Sequence, residues 1–428
     1  MVLHRKPIAV EEAVRQVMEQ AVPLGTTEKE LVDCDEHDVL AEPVIADHDV
    51  PPFDRSPYDG FAIRAVDTKK ASREHPVTLN VIEAIGAGEV AKHAVNEGTA
   101  IRIMTGAALP EGADAIVKLE LARENGDTIE INRPFFSGDN ISWKGEDTKA
   151  GTPLIEAGSQ ITAGVSAVLA TFGYARIRVF RRPRVGVIAT GSELLDITEP
   201  LVPGKIRNSN AYMVLAQIKK TGAIPIHIGQ CPDDFDASYK VMKDSLERVD
   251  LLMTTGGVSV GDFDFLPAIY EKLGAKVLFN KVAMRPGSVT TVARLNNQLL
   301  FGLSGNPSAC FVGFELFAAP YIRALMGNRT PYLSKMKAVL THDFPKANPY
   351  ARFVRSQITL DADRQWSTVT PVGLDKSGVV TSLARANALT VLPGRTSGFT
   401  KGDIVETLLL NGERSAVFTL ENLSNRRL

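Results

Sequence analysis

The chain is poor in the residues that build covalent or metal frameworks. Among 428 residues it has three cysteines, Cys34, Cys231 and Cys310, and seven histidines. The cysteines are far apart, odd in number and without C-x-x-C spacing. That argues against a disulfide scaffold or a structural zinc site, and for buried, inert thiols in a reducing cytoplasm. The histidines form no HxH or HExxH pair, so a histidine-built metal centre is not expected. No run approaches the roughly 18 uncharged apolar residues of a membrane-spanning helix. The opening residues, Met1 to Glu12, lack the apolar region of a signal peptide. Charge of one sign is missing as well. Lys plus Arg number 48 and Asp plus Glu 50, a formal net charge of −2. Nothing global therefore draws the chain to nucleic acid or an anionic membrane, and any anion site must be local. With 44% hydrophobic and 23% charged residues and no repeats, the composition is that of an ordinary globular protein. Its length suggests about three domains.

What is present is organised in blocks. Residues 8–21 carry Ala13, Val14, Val17, Met18 and Ala21 at helical spacing, which reads as an amphipathic helix. Residues 39–53 turn extended and end in Val50-Pro51-Pro52-Phe53, where two prolines oppose a helix. Short β-like runs follow at Val77–Ile85, Thr99–Met104, Ala115–Leu119 and Thr128–Ile131, a small β-rich module. Glycine and small residues return over 138–180, and Arg181-Arg182-Pro183-Arg184 forms a basic joint where we place a boundary. Beyond it, strands are expected at 185–189, 223–228, 251–254, 277–279, 289–293 and 299–303. Helices are expected over 210–220 (capped by Asn208-Ser209), 236–248 and 308–326. This alternation predicts an α/β domain with a mostly parallel sheet, in which ligands bind beyond the carboxyl ends of the strands. After Gly327, strands at 353–360, 367–371, 388–392, 404–410 and 416–420 read as a small β-barrel or sandwich.

Glycine numbers 34, a slight excess that concentrates after the strands of the α/β region. Three clusters stand out: Thr190-Gly191-Ser192-Glu193, Thr254-Thr255-Gly256-Gly257-Val258-Ser259-Val260-Gly261-Asp262, and Gly302-Leu303-Ser304-Gly305-Asn306-Pro307-Ser308. Glycine permits positive φ and close backbone approach, and free N–H groups at a helix start attract anions. Three such turns on one sheet edge would form a phosphate- or oxyanion-binding rim. None is a Walker A or G-x-G-x-x-G loop. Carboxylates sit in or beside these turns at Glu193, Asp233, Asp234, Asp262 and Asp264, a residue type that holds Mg²⁺ against substrate phosphates. Nearby cations are Lys205, Arg207, Lys281 and Arg285, the last in the turn Met284-Arg285-Pro286-Gly287-Ser288, where a guanidinium suits a tetrahedral oxyanion.

Taken together, these motifs resemble the molybdopterin molybdenumtransferase family over essentially the whole chain. Pro51-Pro52-Phe53-Asp54-Arg55-Ser56-Pro57-Tyr58-Asp59-Gly60-Phe61-Ala62 is similar to the family's PPFDxSxxDGxA signature. Arg102-Ile103-Met104-Thr105-Gly106-Ala107 matches its RIMTGA element, and Gly145-Glu146-Asp147 its GED element. Thr190 to Leu194, Gly204-Lys205-Ile206-Arg207-Asn208-Ser209-Asn210, the Gly256–Asp264 loop and Gly305-Asn306-Pro307 follow in family order. The resemblance implies a multidomain α/β protein of four parts. These are a discontinuous N-terminal dimerisation domain (1–50 and 141–180), an inserted β-rich module (51–140), an α/β molybdopterin-binding domain (181–329) and a C-terminal β-barrel (330–428). It implies a cytoplasmic homodimer with the site between the α/β domain of one subunit and the inserted module of the other. The reaction implied is insertion of molybdate into adenylylated molybdopterin with Mg²⁺, releasing AMP and molybdenum cofactor. Expected partners are the molybdopterin adenylyltransferase and molybdoenzyme apoproteins, with no nucleic acid or membrane.

By motif position, Asp59, Thr105, Glu193, Asp233 and Asp264 would be catalytic, with Asp147 of the GED element a weaker candidate. Asp59 would reach across the dimer as an acid–base or positioning group. Gly191, Ser192, Gly256, Gly257, Ser259, Gly305 and Asn306 would hold the pterin and phosphates. Lys281, Arg285 and Ser288 would line the molybdate pocket, and Glu193 and Asp264 would hold Mg²⁺. The chain departs from the family in four places. Many members have Lys-Pro-Gly-Lys-Pro at Arg285-Pro286-Gly287-Ser288-Val289, so Ser288 replaces a lysine. Ser304 replaces a common proline, Asn208 a common Asp, and Ser192 an Asp of some relatives. Three rivals are weighed. A molybdopterin adenylyltransferase would match only residues 181–328. A non-catalytic scaffold of the same architecture is disfavoured by the intact carboxylates. A molybdate-sensing regulator would need a DNA-recognition helix.

Overall fold

The computed structural model describes residues 6–231, 234–257, 266–345, 349–359, 367–412 and 414–420. They fall into two compact units. One comprises Pro43–Glu156 and Ser166–Ala175, the other Met1–Glu42, Ala157–Val165 and Arg176–Leu428.

The first unit is built on a six-stranded sheet. Its strands are β1 (Gly60–Ile63), β2 (Val77–Ile85), β3 (Thr99–Ile103), β4 (Ala115–Lys118), β5 (Ala122–Asn125) and β6 (Thr128–Ile131). The spatial order is β4-β1-β3-β2-β6-β5. Every pairing is antiparallel except β2 with β3. Both faces are covered. Phe61, Ile63, Leu79, Val117, Ile129 and Ile131 pack on one side, and Ala62, Ile85, Ile101, Ile103 and Ile116 on the other. A strand buried on both faces loses the in/out alternation that marks strands in a sequence, which is why β1 hides inside the Asp59-Gly60 motif.

The second unit contains the α/β layer. Its sheet comprises β7 (Arg184–Thr190), β8 (Ile224–Cys231), β9 (Leu251–Thr255), β10 (Lys276–Phe279), β11 (Thr291–Leu295) and β12 (Gln298–Leu303), in the order β8-β7-β9-β12-β11-β10. The first four strands are parallel. The last two join as antiparallel neighbours, which makes the sheet mixed. The Leu295–Gln298 turn is too short for a crossover helix, so β11 and β12 must form a hairpin. Helices α2 (Ser209–Thr221), α3 (Phe235–Leu246) and α4 (Leu266–Lys272) alternate with the strands. The amphipathic N-terminal helix, α1 (Val10–Met18), shares a core with this layer. Val10, Ala13, Val14 and Val17 pack with Phe279, Phe317 and Ile322.

The long apolar helix α5 (Pro307–Leu325) is long and apolar enough to cross a membrane, but 89% of it is buried in the fold. It is a core helix. A π-helical turn at Phe314–Ala318 precedes Pro320. The wider turn gives room for a ring that would clash with a carbonyl one turn earlier.

Strands β13 (Lys335–Leu340), β14 (Ala351–Thr359), β15 (Thr368–Pro371), β16 (Ala388–Leu392) and β17 (Ile404–Leu409) close on themselves in the circuit β14-β15-β13-β17-β16-β14. This is a barrel rather than a sandwich. The strand expected at 416–420 does not form. Only Arg414–Ser415 pairs, with Tyr332–Leu333. Instead Phe418 packs on Tyr332, with ring centres 5.6 Å apart, and Leu420 is buried.

The basic joint is held by paired charges. Arg181 grips Asp250 with two nitrogens at 2.9 and 2.7 Å, and the Arg184 N–H donates to Asp250 at 2.6 Å. Arg182 reaches Asp38 at 2.9 Å. Partial burial pushes the Asp250 carboxyl up, but the Arg181 and Arg184 bonds outweigh it and hold the group below its ordinary value. A depressed folded pKa means that the stabilisation is full above the unfolded value and is lost as pH falls through the folded one. Asp250→Asn is expected to cost about 1–2 kcal/mol at neutral pH. Denaturant melts should show the gap to wild type closing below about pH 4.

Candidate functional site

In the β-rich unit the motif residues assemble around one carboxylate. Asp59 Oδ1 accepts hydrogen bonds from the Thr105 N–H at 2.7 Å and the Thr105 hydroxyl at 2.8 Å. The two turns that carry them are stapled together. Gly106 N donates to Ser56 O at 2.8 Å and Ser56 N to Ala107 O at 3.0 Å. The Thr105 bonds hold the Asp59 carboxyl below its ordinary value, with a smaller pull from Arg102. Asp59 and Thr105 are both exposed. Oδ1 is therefore fixed on a residue that stays exposed. Gly60 follows because nothing larger fits, since a Cβ there would stand 2.0 Å from Val117 O. Gly60→Ala is expected to lower stability by at least about 3 kcal/mol, read as a fall in the thermal midpoint of the intact chain. The GED turn is tied to the same region, with Gly145 N donating to Pro51 O at 2.9 Å and Asp147 N to Val50 O at 3.0 Å.

In the α/β layer the three glycine turns do meet at one edge, beyond the carboxyl ends of β7, β9 and β12. A Cβ on Gly256 would lie 2.6 Å from Thr190 O, and one on Gly305 would lie 3.6 Å from Gly256 Cα. Gly256 N donates to Leu303 O at 2.9 Å. Gly191 has φ +138°, and the Glu193 carboxylate folds against it so closely that a Cβ would stand 2.3 Å from Oε2. Gln230 Nε2 fixes Gly191 O at 2.8 Å. Lys205 Nζ donates to Ser192 O. Ser259, Asp264 and Asp233 lie outside the described residues, as does Asp262.

Two departures acquire a physical reading. Asn208 is a buried helix cap whose side chain accepts from Ala211 N at 3.1 Å. It is spent on α2 rather than offered to a ligand. The hydroxyl of Ser304 accepts from Asn306 N at 3.2 Å. Asn210, which closes the Gly204–Asn210 motif and has no role assigned from sequence, donates to Gly305 O at 2.7 Å and so latches the start of α2 to the third turn.

That third turn offers fewer free N–H groups than expected. Ser308 N donates to Ser377 O at 3.0 Å and Ser308 Oγ to Val379 O at 2.6 Å. The barrel loop 374–379 thus covers the start of α5. Beside it lies a cleft of about 500 Å³ lined by Arg285, Arg352, Asp375, Lys376, Ser377 and their neighbours. Arg285, expected from sequence, is in it. Lys281 and Ser288 are not among its lining residues. They lie at the two ends of one turn, closed by Val282 N donating to Ser288 O at 2.8 Å. Arg352 and Lys376 carry no local sequence signal. Arg352 arrives because Met284–Arg285 pairs in parallel with Ala351–Arg352. Among the described residues no group of three or more His, Cys, Asp or Glu side chains could hold a metal ion.

Three family models match along the chain: "MoeA N-terminal region (domain I and II)" over residues 8–173, "Probable molybdopterin binding domain" over 186–324, and "MoeA C-terminal region (domain IV)" over 337–410. The chain is 55% identical to the molybdopterin molybdenumtransferase of Bacillus subtilis (strain 168) across 99% of both proteins. It is 48% identical to that of Staphylococcus aureus (strain COL) across 96% of this chain and 97% of the relative. The solved structure of the molybdopterin biosynthesis moeA protein from Pyrococcus horikoshii OT3 superposes with a TM-score of 0.80 at 30% identity, covering 94% of this chain and 100% of that one. A match to the full length, and not to the α/β layer alone, separates the chain from a stand-alone adenylyltransferase domain. The chain belongs to the molybdopterin molybdenumtransferase family.

Proposed function

We propose that the protein inserts molybdate into adenylylated molybdopterin, releasing AMP and the molybdenum cofactor. The observation that carries this is the junction of two features on one loop. Ser304–Ser308 closes the glycine-lined edge of the α/β sheet on one side. Through Ser377, Gly378 and Val379 it also borders the cationic cleft of Arg285, Arg352 and Lys376. A substrate with pterin and phosphates at the edge would lie next to an oxyanion in the cleft. Gly191, Gly256, Gly257 and Gly305 let the three turns pack closely together, and a ligand there would meet backbone N–H groups, with Ser192, Ser259 and Asn306 expected to supply polar contacts around it. Arg285 offers a forked guanidinium to the tetrahedral dianion, with Lys281 and Ser288 supporting its turn.

Asp59 acts as a fixed anion. Its hydrogen bonds from Thr105 favour the ionised form further, which suits positioning or charge stabilisation better than proton abstraction. A second copy of the chain would present Asp59 to the α/β edge of the first, so a homodimer is part of this proposal. Magnesium is part of it too. Glu193 is a hard oxygen donor beside Gly191, Asp264 would be the second, and Mg²⁺ between substrate phosphates needs only one or two carboxylates. Bound there it would neutralise charge on the pyrophosphate as that link breaks. Asp233 would add a further carboxylate at the edge.

The decisive experiment is molybdenum insertion by the purified protein with molybdate, adenylylated molybdopterin and Mg²⁺. AMP release coupled to cofactor formation is expected, and a chelator should abolish it. Formation of adenylylated molybdopterin from ATP and molybdopterin with release of pyrophosphate, or receptor binding without molybdenum transfer, would overturn the reading in favour of an adenylyltransferase or a scaffold.

A further inference from the structure

The cationic cleft contains a carboxylate that an oxyanion-binding site does not need. Arg285 and Arg352 are register partners in adjacent parallel strands. Their backbones are therefore about 4.8 Å apart and their side chains leave the same face. Two guanidinium groups so placed repel each other unless an anion lies between or beside them. Asp375 meets this need, since its Oδ2 accepts from Arg352 Nη1. Both side chains are 12% exposed, so the pair is shielded but still borders the cleft. The grip on Arg352 is incomplete. Among the described residues its buried Nε has no hydrogen-bond partner, while the guanidinium carbon lies 5.6 Å from the centre of the Phe344 ring. A forked cation held by one prong has donor capacity left for another acceptor. Among the described lining residues, the charges of Arg285, Arg352 and Lys376 against that of Asp375 leave +2, the complement of a tetrahedral dianion.

We propose that Asp375 is a built-in counter-ion of this cleft, which competes with the incoming oxyanion for Arg352 and holds down the affinity for doubly charged oxyanions. The inference rests on the reading that the cleft is where molybdate enters. Its physical content is simple. With the cleft empty, Asp375 neutralises one of two neighbouring guanidiniums. When an oxyanion arrives, Asp375 repels it in proportion to the anion's charge. A dianion therefore feels the competitor about twice as strongly as a monoanion of the same shape. A site built only of cations would trap its ligand. An internal carboxylate keeps the oxyanion exchangeable, so that it can pass to the pterin.

Asp375→Asn tests this directly, because asparagine keeps the shape and an acceptor for Arg352 but removes the charge. Binding of molybdate and of perrhenate, a tetrahedral monoanion, is measured by equilibrium dialysis on the full-length protein and on the variant. Molybdate affinity is expected to rise on the order of tenfold and perrhenate affinity about threefold, the square root of that change. Asp375→Ser, which removes the charge with a smaller side chain, should act in the same direction. Weaker binding of both anions in the Asn variant would show that Asp375 merely holds Arg352 in place, and would overturn the proposal. So would an equal change for the two anions, or no change. If neither wild type nor variant binds molybdate, the cleft itself is misassigned. That outcome is distinct from an unchanged but measurable affinity, and it removes both readings.

Discussion

Replacing Asp59 with alanine is expected to reduce molybdenum insertion by about a hundredfold or more while leaving the fold intact. Asp59 is exposed and, among the described residues, its carboxylate is bonded by Thr105, itself exposed, so no buried group is orphaned by its removal. The informative version is a mixing experiment. If Asp59 serves the α/β edge of the other subunit, an Asp59→Ala chain and a Glu193→Gln chain are each inactive. Their mixed dimer then has one complete site. Random reassortment gives half mixed dimers, hence about a quarter of wild-type activity. No recovery on mixing, with dimer exchange verified, would place Asp59 and Glu193 in the same chain's site. Wild-type activity in Asp59→Ala would remove Asp59 from the mechanism. Thr105 supplies a pH test of the same arrangement. Its hydrogen bonds lower the Asp59 pKa, so Thr105→Val, which deletes the hydroxyl donor, lets that pKa rise. The acid limb of the insertion profile should then move to higher pH, because Asp59 loses its charge earlier on acidification.

The second large effect concerns Arg285. Arg285→Ala is expected to raise the molybdate concentration for half-maximal insertion between about ten- and a hundredfold, since a charge-assisted forked contact is lost. The response to adenylylated molybdopterin should change little. Arg285→Lys should recover only part, because an ammonium is a point charge and cannot match two oxygens of a tetrahedral anion. Arg285 is exposed on a two-residue strand, so the substitution leaves the core untouched. Undiminished molybdate binding in Arg285→Ala would reassign the cleft.

Much of the site was legible because it is local. Asn208 and Ser209 announce the start of α2 through the capping preference of short polar side chains, and the cap forms as read. Asp59 and Thr105 lie in short motifs whose turns carry them together. The Gly191, Gly256 and Gly305 turns follow strand-like apolar runs, and a parallel sheet places such turns on one edge. The misses are equally physical. β1 was not recognised because burial on both faces erases alternation. The run 416–420 has the composition of a strand, but propensity cannot supply a partner, and beside it only Arg414–Ser415 pairs, with Tyr332–Leu333. The hairpin that turns the α/β sheet from parallel to mixed depends on which neighbours pair, which apolar runs alone do not encode.

The sequence by itself determined most strands of the α/β layer and the barrel, the glycine turns at strand ends, the two carboxylates Asp59 and Glu193, and the family resemblance those motifs carry. All of these depend on residues within a few positions of one another, where backbone sterics and capping act. Tertiary structure alone decided the composition of the cationic cleft. Arg352 stands beside Arg285 through a parallel pairing between segments some 67 positions apart, and the loop carrying Asp375 and Lys376 reaches the start of α5 from the barrel. Coulomb forces and hydrogen bonds act through space and take no account of chain separation, so the partners that set the charge of this cleft become visible only once the chain has folded.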